Sequence, residues 1–288
     1  MGLSFQNVNF SYNGKKDAKA YVLHDLNLNI CEKDEFIFIL GHTGSGKSTL
    51  AQLSNALLTP TLGSVDVCGN IITFKNNTNL KSVRKKVGLV FQFPEYQLFE
   101  DTVIKDVMFG PKNYGLKADD ARRASEDALK RVGVSSDLFE RTPFTLSGGQ
   151  MRKVAIAGVL ACNPDILIFD EPTVGLDDVS KRELMNTLVD IQNATHKSII
   201  IITHNMNVVA KYAKRIIVLD HGNIAYDGGR DALFNNLDFL KQHHLDLPDV
   251  ARIALKLKEK ALINFNNIPL DLETLYYLIK DKSEVQDE

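Results

Sequence analysis

One stretch decides how this chain folds: Gly41-His42-Thr43-Gly44-Ser45-Gly46-Lys47-Ser48. A continuous apolar run, Phe36–Leu40, precedes it, and a helical pattern over residues 48–58 follows. A strand, a glycine loop ending in Lys-Ser and a helix form the phosphate-binding pattern, in which backbone N–H groups wrap the phosphates. We therefore predict that Lys47 reaches the β- and γ-phosphates of a nucleotide and that Ser48 places its hydroxyl on Mg²⁺.

A carboxylate pair, Asp170-Glu171, ends another apolar run over residues 166–169. Two carboxylates at such a position are costly unless a positive group lies nearby, and a magnesium–nucleotide complex supplies that charge. Acids before Pro172 also serve as helix N-caps, but that structural role accounts for one carboxylate and not for both. The pair therefore predicts a metal–nucleotide site at the end of this strand.

Three further residues gain meaning only from the motifs around them. Gln92 follows a strand predicted over residues 86–91, and its amide oxygen can join the Mg²⁺ shell or orient a water, although a glutamine there is often an ordinary loop residue. His204 follows the predicted strand 198–202, where a lone histidine is usually a surface or core residue. Tyr12 offers an aromatic face for stacking, or belongs to the core of its strand.

A third motif, Leu146-Ser147-Gly148-Gly149-Gln150, lies between the glycine loop and the carboxylate pair. The three motifs in this order resemble the nucleotide-binding domain of the ATP-binding cassette (ABC) ATPases. In that family the pentapeptide of one domain closes on ATP that another domain holds. The resemblance therefore implies that two domains share each ATP, with residues 175–177 crossing the same interface.

The resemblance also implies roles for individual residues, with ATP and Mg²⁺ as cofactors. The implied catalytic residues are Glu171 as general base, His204 and Gln92 as sensors of the γ-phosphate, and Lys47. The implied metal-binding residues are Ser48, Gln92 and Asp170. The implied ATP contacts are Tyr12, Gly41, His42, Thr43, Gly44, Ser45, Gly46, Lys47, Ser48, Thr49, Ser147, Gly148, Gly149 and Gln150.

Hydrophobic patterning indicates an α/β fold. Roughly alternating apolar residues over 5–12 and 23–30 predict an antiparallel β subdomain. Strand runs that alternate with helical segments predict the parallel sheet of a P-loop NTPase core, interrupted by an inserted helical subdomain at about 94–162. We predict a nucleotide-binding domain over residues 1–230 and a C-terminal helical extension over residues 231–288.

Composition limits the class of function. The 34 basic and 36 acidic residues leave a net charge of -2, which gives no reason to expect a nucleic-acid partner. The three cysteines lie far apart, which suits a reducing compartment. No window approaches the roughly 20 apolar residues that span a bilayer. We therefore predict a chain that binds no nucleic acid and does not cross a membrane by itself.

The run of residues 93–103, FPEYQLFEDTV, resembles the ATPases of energy-coupling factor (ECF) transporters, most closely the second ATPase of the paired kind. Residues 107–113 and 247–250 continue this match. The resemblance implies an ATP-hydrolysing subunit that powers import of vitamins or other micronutrients from the cytoplasmic face of the cell membrane. It implies a second ABC ATPase as partner, a transmembrane scaffold bound through the region from Glu95 to Phe99, and a substrate-binding membrane subunit reached indirectly.

Alternatives stay open at this point. The chain could serve a dedicated cobalt or nickel importer, against which Phe93-Pro94-Glu95 argues mildly. It could be a soluble ABC ATPase, although it has neither a second cassette nor a long coiled-coil insert. Tyr96, Leu98 and Phe99 predict an exposed apolar patch that binds a partner, unless they belong to the core of the helical subdomain. The sequence does not name the transported compound.

Overall fold

The computed structural model describes residues 2–14, 18–75 and 79–286, with side chains to residue 280. Within this part, an antiparallel sheet has the strand order β2-β1-β4-β5. Its strands are β1 (Leu3–Phe10), β2 (Leu23–Ile30), β4 (Leu62–Val67) and β5 (Asn70–Ile72). This is the antiparallel subdomain that the alternating pattern predicts. Tyr12 lies just beyond the end of β1, in a turn closed by a hydrogen bond from Gly14 N to Ser11 O.

A second sheet of the described residues has the order β10-β9-β3-β8-β7-β6. Its strands are β3 (Phe36–Leu40), β6 (Val87–Val90), β7 (Ile166–Asp170), β8 (Ser198–Ile202), β9 (Arg215–Asp220) and β10 (Asn223–Gly229). All neighbouring pairs from β9 to β6 are parallel, and β10 pairs antiparallel with β9. The predicted parallel core is therefore confirmed, with an antiparallel strand at one edge.

The helices surround these sheets. They are α1 (Lys47–Ser54), α2 (Leu80–Lys86), α3 (Val103–Asn113), α4 (Ala118–Arg131), α5 (Gly148–Leu160), α6 (Asp178–Thr195), α7 (Met206–Tyr212), α8 (Arg230–Asn235), α9 (Leu237–Gln242), α10 (Asp249–Glu259) and α11 (Leu272–Gln286). Helix α1 ends before the predicted residue 58, because Ala56 adopts a positive φ of 55° and the N–H groups of Leu57 and Leu58 turn back to Gln52 O.

The parallel sheet is buried on both faces, which explains its continuous apolar strands. Along β3, Phe36, Phe38 and Leu40 join the cluster that includes α3, α5 and α6, while Ile37 and Ile39 join the cluster under the antiparallel sheet and α1. Alternate residues of one strand thus serve two cores. This double packing fixes β3, and with it the start of the glycine loop.

Helices α3, α4 and α5 lie between β6 and β7 in the chain, where the helical insertion is predicted. Residues near the C-terminus form a third, smaller core that includes Ala251, Ala254 and Phe265. The spacing of Val250, Ile253, Ala254 and Leu257 predicts one buried face for α10, but Ile253 is 47% exposed. Val250, Ala254 and Leu257 pack in this core as predicted, and Ala251 joins them in place of Ile253, because the loop bearing Phe265 covers that side. No helix among the described residues is both long and apolar enough to span a membrane.

Candidate functional site

The site forms where the parallel strands end. Residues pair across β3, β8 and β7 in register, with Ile39 beside Ile202 and Ile202 beside Asp170. The carboxyl ends of parallel strands meet at one edge of a sheet, which is where open α/β sheets bind ligands. The predicted loop after β3, the carboxylate pair at the end of β7 and the Thr203-His204 pair after β8 therefore share this edge.

The glycine loop is shaped for close approach of a ligand. Gly41, Gly44 and Gly46 have φ values of 147°, 83° and 105°, which other residues rarely adopt. A Cβ at Gly44 would meet no atom within 4 Å, so the backbone there is open, whereas a Cβ at Gly46 would lie 2.6 Å from Leu23 Cδ2. The Ser45 hydroxyl is buried without a hydrogen-bond partner among the described residues. An open backbone concavity at a helix N-terminus fits a phosphate group.

Lys47 keeps its ammonium inside the loop. Its Nζ donates to Gly41 O at 2.8 Å and to His42 O at 2.9 Å. Burial lowers the pKa of Lys47, and the charges of Glu171 and Asp170 act in the opposite direction. The cation is thus held among carbonyl oxygens at the position where a phosphate would need it.

Asp170 lies half-buried at the end of β7, close enough to Ser48 for that hydroxyl to act on its pKa. Burial raises the pKa of Asp170, and the charge of Glu171 raises it further, while Ser48 and Lys47 lower it. A carboxylate and a hydroxyl are hard oxygen donors of the kind that Mg²⁺ takes. The two residues therefore fit the metal that the sequence predicts, and a bound cation would favour the ionised carboxylate.

Glu171 is joined to the end of β8. Its backbone has a φ of 51° and its N–H donates to Ile202 O at 2.9 Å. His204 Nδ1 lies 2.7 Å from Glu171 Oε1, and Thr203 Oγ1 donates to Glu171 Oε2 at 3.2 Å. The structure thus brings the predicted Glu171 and His204 together. It adds Thr203, which the sequence analysis missed because a threonine at a strand end carries no signal of its own.

Tyr12 presents its ring to solvent beside the start of α1. Its side chain is 62% exposed, its ring meets Phe10 edge-on at 4.9 Å, and its hydroxyl is 2.9 Å from Thr49 Oγ1. The assignment of Tyr12 to the core of its strand is therefore wrong, and an exposed aromatic face stands near the loop.

Gln92, His42 and Thr43 complete the predicted residues on this side. Gln92 is exposed just beyond β6 and makes no hydrogen bond with any described residue. Thr43 is exposed in the loop, whereas the His42 ring turns away to Asp220, with Nε2 3.1 Å from Oδ1. His42 therefore offers its backbone, not its ring, to the loop.

The pentapeptide 146–150 begins α5 and lies apart from the loop. Ser147 Oγ accepts from Gln150 N at 3.3 Å and Gln150 Oε1 accepts from Ser147 N at 3.0 Å, so the two residues form a capping box. Gly148 and Gly149 are exposed, and a Cβ on either would meet nothing within 4 Å. No hydrogen bond joins residues 146–150 to residues 41–48 within the described chain, so one copy does not assemble the two motifs.

Arg152 is a second residue that the sequence analysis missed. It lies in α5 with 7% of its side chain exposed, and its Nη2 and Nε bind the two carboxylate oxygens of Glu95 at 2.7 and 3.0 Å. Its Nη1 also donates to Pro172 O and Val174 O. One guanidinium thus connects α5, the segment after β6 and the segment after β7. An arginine inside an apolar helix is the signal that could have revealed it.

The predicted apolar patch at Glu95 to Phe99 is confirmed in part. Tyr96 is 83% exposed, and Phe99 is exposed and meets the ring of Phe109 edge-on. Leu98 is only 6% exposed and belongs to the buried cluster that also holds residues of α3, α4 and α5, so its assignment to the patch is wrong. In this segment the side chains of Glu95 and Leu98 are largely buried, whereas those of Tyr96 and Phe99 are exposed.

Comparisons with known proteins agree with this architecture. Residues 23–174 match the ABC transporter family. The energy-coupling factor transporter ATP-binding protein EcfA2 of Lactobacillus delbrueckii subsp. bulgaricus is 46% identical over 281 residues, covering 97% of this chain and 97% of that protein. The protein of the same name from Streptococcus sanguinis is 44% identical over 274 residues, covering 95% of this chain and 97% of that protein.

Solved structures show the same fold. CbiO1 from Clostridium perfringens, part of the ABC transporter complex CbiONQ, superposes with a TM-score of 0.74 at 34% identity, covering 89% of this chain and 98% of that chain. The ATP-binding cassette MJ0796, a dimer bound to ADP and Pi in a post-hydrolysis state, superposes with a TM-score of 0.68 at 30% identity. The match covers 79% of this chain and 98% of that chain. The chain therefore belongs to the ABC transporter family, among the ATP-binding proteins of energy-coupling factor transporters.

Proposed function

We propose that this chain hydrolyses ATP to power an ECF-type importer of vitamins or other micronutrients. The observation that carries the proposal is the single sheet edge that bears Lys47, the Ser48–Asp170 pair and the Glu171–His204 pair. A phosphate cradle with its cation, hard oxygen donors for a metal and a held carboxylate are the parts that phosphoryl transfer to water needs.

ATP binding uses the loop and its flanks. Backbone N–H groups of residues 41–48 wrap the phosphates, and the Lys47 ammonium exchanges the carbonyl oxygens of Gly41 and His42 for β- and γ-phosphate oxygens. Tyr12, whose ring is exposed, stacks on adenine. Ser48, Asp170 and Gln92 would hold Mg²⁺, which when bound neutralises phosphate charge and orients the γ-phosphate.

Hydrolysis relies on Glu171 as general base for the attacking water. His204 and Thr203 each bind one carboxylate oxygen of Glu171, so they set the direction in which the carboxylate faces. Gln92 is free of other hydrogen bonds in the described chain and so can turn to the water or the γ-phosphate. Catalysis of this kind is mainly positioning and electrostatic stabilisation.

A second ATPase completes each site. The separation of residues 146–150 from the loop supports an arrangement in which Ser147, Gly148, Gly149 and Gln150 contact the ATP that the partner holds. Gly148 and Gly149, the first residues of α5, are exposed and can turn their N–H groups to a γ-phosphate, whereas the N–H of Gln150 already donates to Ser147 Oγ. Closing on two ATP molecules draws the subunits together and hydrolysis releases them, a two-state cycle that moves the attached scaffold.

The chain is then peripheral, on the cytoplasmic face of the membrane. Tyr96 and Phe99 supply the exposed apolar surface that a transmembrane scaffold would cover, while the substrate-binding subunit contacts that scaffold and not this chain. The cargo is therefore selected elsewhere in the complex.

Co-purification tests this proposal. We expect the tagged chain, extracted from native membranes, to bring down a second ABC ATPase, a polytopic scaffold and membrane proteins that bind vitamins or similar nutrients. Recovery of a subunit that binds cobalt or nickel would instead identify a dedicated metal-ion importer. Recovery with ribosomes, or of this chain alone, would overturn the transport assignment.

The substitution Glu171→Gln tests the catalytic assignment. We expect ATP hydrolysis in the purified complex to fall on the order of 10²–10⁴-fold, because the amide cannot accept a proton from water, while the affinity for ATP stays nearly unchanged. Phosphate release and nucleotide binding measure the two effects. Hydrolysis at the parental rate would show that Glu171 is not the base.

A further inference from the structure

A cluster of imidazoles around one carboxylate lies beside the glycine loop, at the end of β9. Asp220 Oδ1 is 3.1 Å from His42 Nε2 and 3.7 Å from His221 Nε2, and Asp220 Oδ2 is 2.8 Å from His243 Nδ1. These residues come from the loop after β3, the β9–β10 turn and the segment after α9. Apart from the His42 backbone, none of them has a part in the ATP chemistry proposed above.

The hydrogen-bonding of His42 indicates that a positive species belongs in this cluster. His42 Nδ1 lies 2.8 Å from Thr43 O, which can only accept, so Nδ1 carries a hydrogen. In the neutral ring Nε2 then has a lone pair, and that lone pair faces a carboxylate oxygen at 3.1 Å. Two acceptors at this distance repel each other unless a second proton or a metal cation lies with them.

The spacing of the three atoms fits a shared metal cation. Ligands about 2.05 Å from a tetrahedral metal lie roughly 3.3 Å apart, and the observed separations of 3.1 and 3.7 Å lie on either side of that value. One ligand atom from each of His42, Asp220 and His221 lies within 4.8 Å of the others. The two rings stand 4.7 Å apart. Two imidazole nitrogens and one carboxylate suit Zn²⁺, Co²⁺ or Ni²⁺, whereas Mg²⁺ prefers an all-oxygen set.

The surroundings hold two of the three ligands in place. His243 donates to the second oxygen of Asp220, and its own ring packs on Phe239 at 4.1 Å. Thr43 O fixes the His42 ring in the same way. Such outer hydrogen bonds orient the ligands of metal sites.

We propose that His42, Asp220 and His221 form a binding site for Zn²⁺ or a divalent transition metal of the same chemistry, separate from the nucleotide site. Water fills the remaining position. The bound ion ties the glycine loop to the β9–β10 turn and, through His243, to the chain after α9. His221 is the exposed ligand, so it closes the site from the solvent side.

Cobalt titration tests the site. The full-length chain, without a polyhistidine tag, is titrated with Co²⁺ in the absence of nucleotide and Mg²⁺, and the visible d–d absorption and its displacement by Zn²⁺ are followed. We expect one Co²⁺ per chain with a tetrahedral spectrum that lacks thiolate charge-transfer bands. Binding should weaken at least about tenfold in His221→Gln and in Asp220→Asn.

His196→Gln is the matched control, because His196 also pairs with an aspartate, Asp34 at 2.7 Å, but with no third ligand among the described residues. It should bind Co²⁺ as the parent does. Melting temperatures without metal should be equal for the parent and His221→Gln, since that side chain is exposed. Absence of Co²⁺ and Zn²⁺ binding by the parent, or parental affinity in both His221→Gln and Asp220→Asn, would overturn the proposal.

Discussion

Lys47 and Asp170 both carry charge against the preference of their surroundings. Burial lowers the pKa of the lysine and raises the pKa of the aspartate, and their mutual attraction offsets this only in part. A ligand that brings both negative phosphates and a positive metal ion would relieve both residues. Such opposed, perturbed groups in a cleft are typical of functional sites, where stability is given up for function.

Asp170→Asn should therefore raise the melting temperature of the nucleotide-free chain while abolishing ATP hydrolysis. A carboxyl whose folded-state pKa lies above its unfolded value costs stability at every pH above the folded-state pKa. That cost disappears as the pH falls from the folded-state towards the unfolded-state pKa. Calorimetry at neutral pH measures the rise in melting temperature, which should vanish in acid.

Asp165→Asn at the other end of β7 is the control and should give no rise in melting temperature, because Asp165 binds Lys86 at 2.7 Å. A lower melting temperature for Asp170→Asn would contradict the prediction.

Tyr12→Ala should weaken ATP binding while Tyr12→Phe should not. Stacking of a base on an aromatic ring contributes roughly 1–3 kcal/mol, which corresponds to a roughly 5- to 150-fold change in Kd. Tyr12→Phe keeps the ring and removes only the hydroxyl that meets Thr49. Nucleotide titration of both variants separates stacking from this hydrogen bond. Equal losses in the two variants would assign the effect to the hydroxyl.

At the scale of elements, Arg152 connects three segments that are distant in the chain. Helix α5, which begins with the pentapeptide 146–150, is joined through this side chain to Glu95 and to the carbonyls of Pro172 and Val174. Burial acts to raise the pKa of Glu95, but the hydrogen bonds and charge of Arg152, together with a backbone hydrogen bond, lower the pKa overall. Helix α5 and the segment that carries Tyr96 are thus joined by one buried ion pair.

Arg152→Met should destabilise the chain by about 3–5 kcal/mol, because it leaves the Glu95 carboxylate buried without its partner. Denaturant unfolding measures the loss. Arg122→Met removes an arginine from the exposed pair with Glu126 and should have little effect. Adding Glu95→Gln to Arg152→Met should recover part of the stability. No recovery in the double variant would show that the lost bonds to Pro172 and Val174 dominate.

Strands, helices and motifs could be predicted from the local sequence pattern. Contacts between residues that are distant in the chain could not. The apolar runs of β3 and β8 predict buried parallel strands, and the loop, the pentapeptide and the carboxylate pair were located by sequence alone. The pairing of Glu171 with Thr203 and of Glu95 with Arg152 depends on strand order and helix docking, which no local pattern encodes. Apolar character alone also misplaced Leu98 and Ile253, since burial depends on what packs from outside the element.

At the scale of the whole molecule, the exposed aromatic side chains Tyr96 and Phe99 are the proposed contact with the membrane scaffold. They lie in the segment that the buried Glu95–Arg152 ion pair joins to α5. Exposed aromatic side chains on a segment held by a buried ion pair are typical of residues that dominate the binding energy of an interface.

Tyr96→Ser should reduce recovery of the scaffold with the tagged chain by roughly tenfold, since tyrosine anchors often contribute more than 1 kcal/mol to binding. Its melting temperature should not change, because the side chain is 83% exposed. Ile71→Ser replaces another exposed apolar side chain, on β5, and should leave recovery of the scaffold unchanged. If Tyr96→Ser and Ile71→Ser recovered the same amount of scaffold, the scaffold contact would not include Tyr96.

The capping box at the start of α5 has a kinetic consequence for assembly. Because Ser147 and Gln150 satisfy each other, the surface that we propose meets a second ATPase is already folded in the single chain. An encounter between subunits then loses little conformational entropy and needs no search among loop shapes. In the proposed cycle, the start of α5 then needs no refolding each time the pair opens and closes.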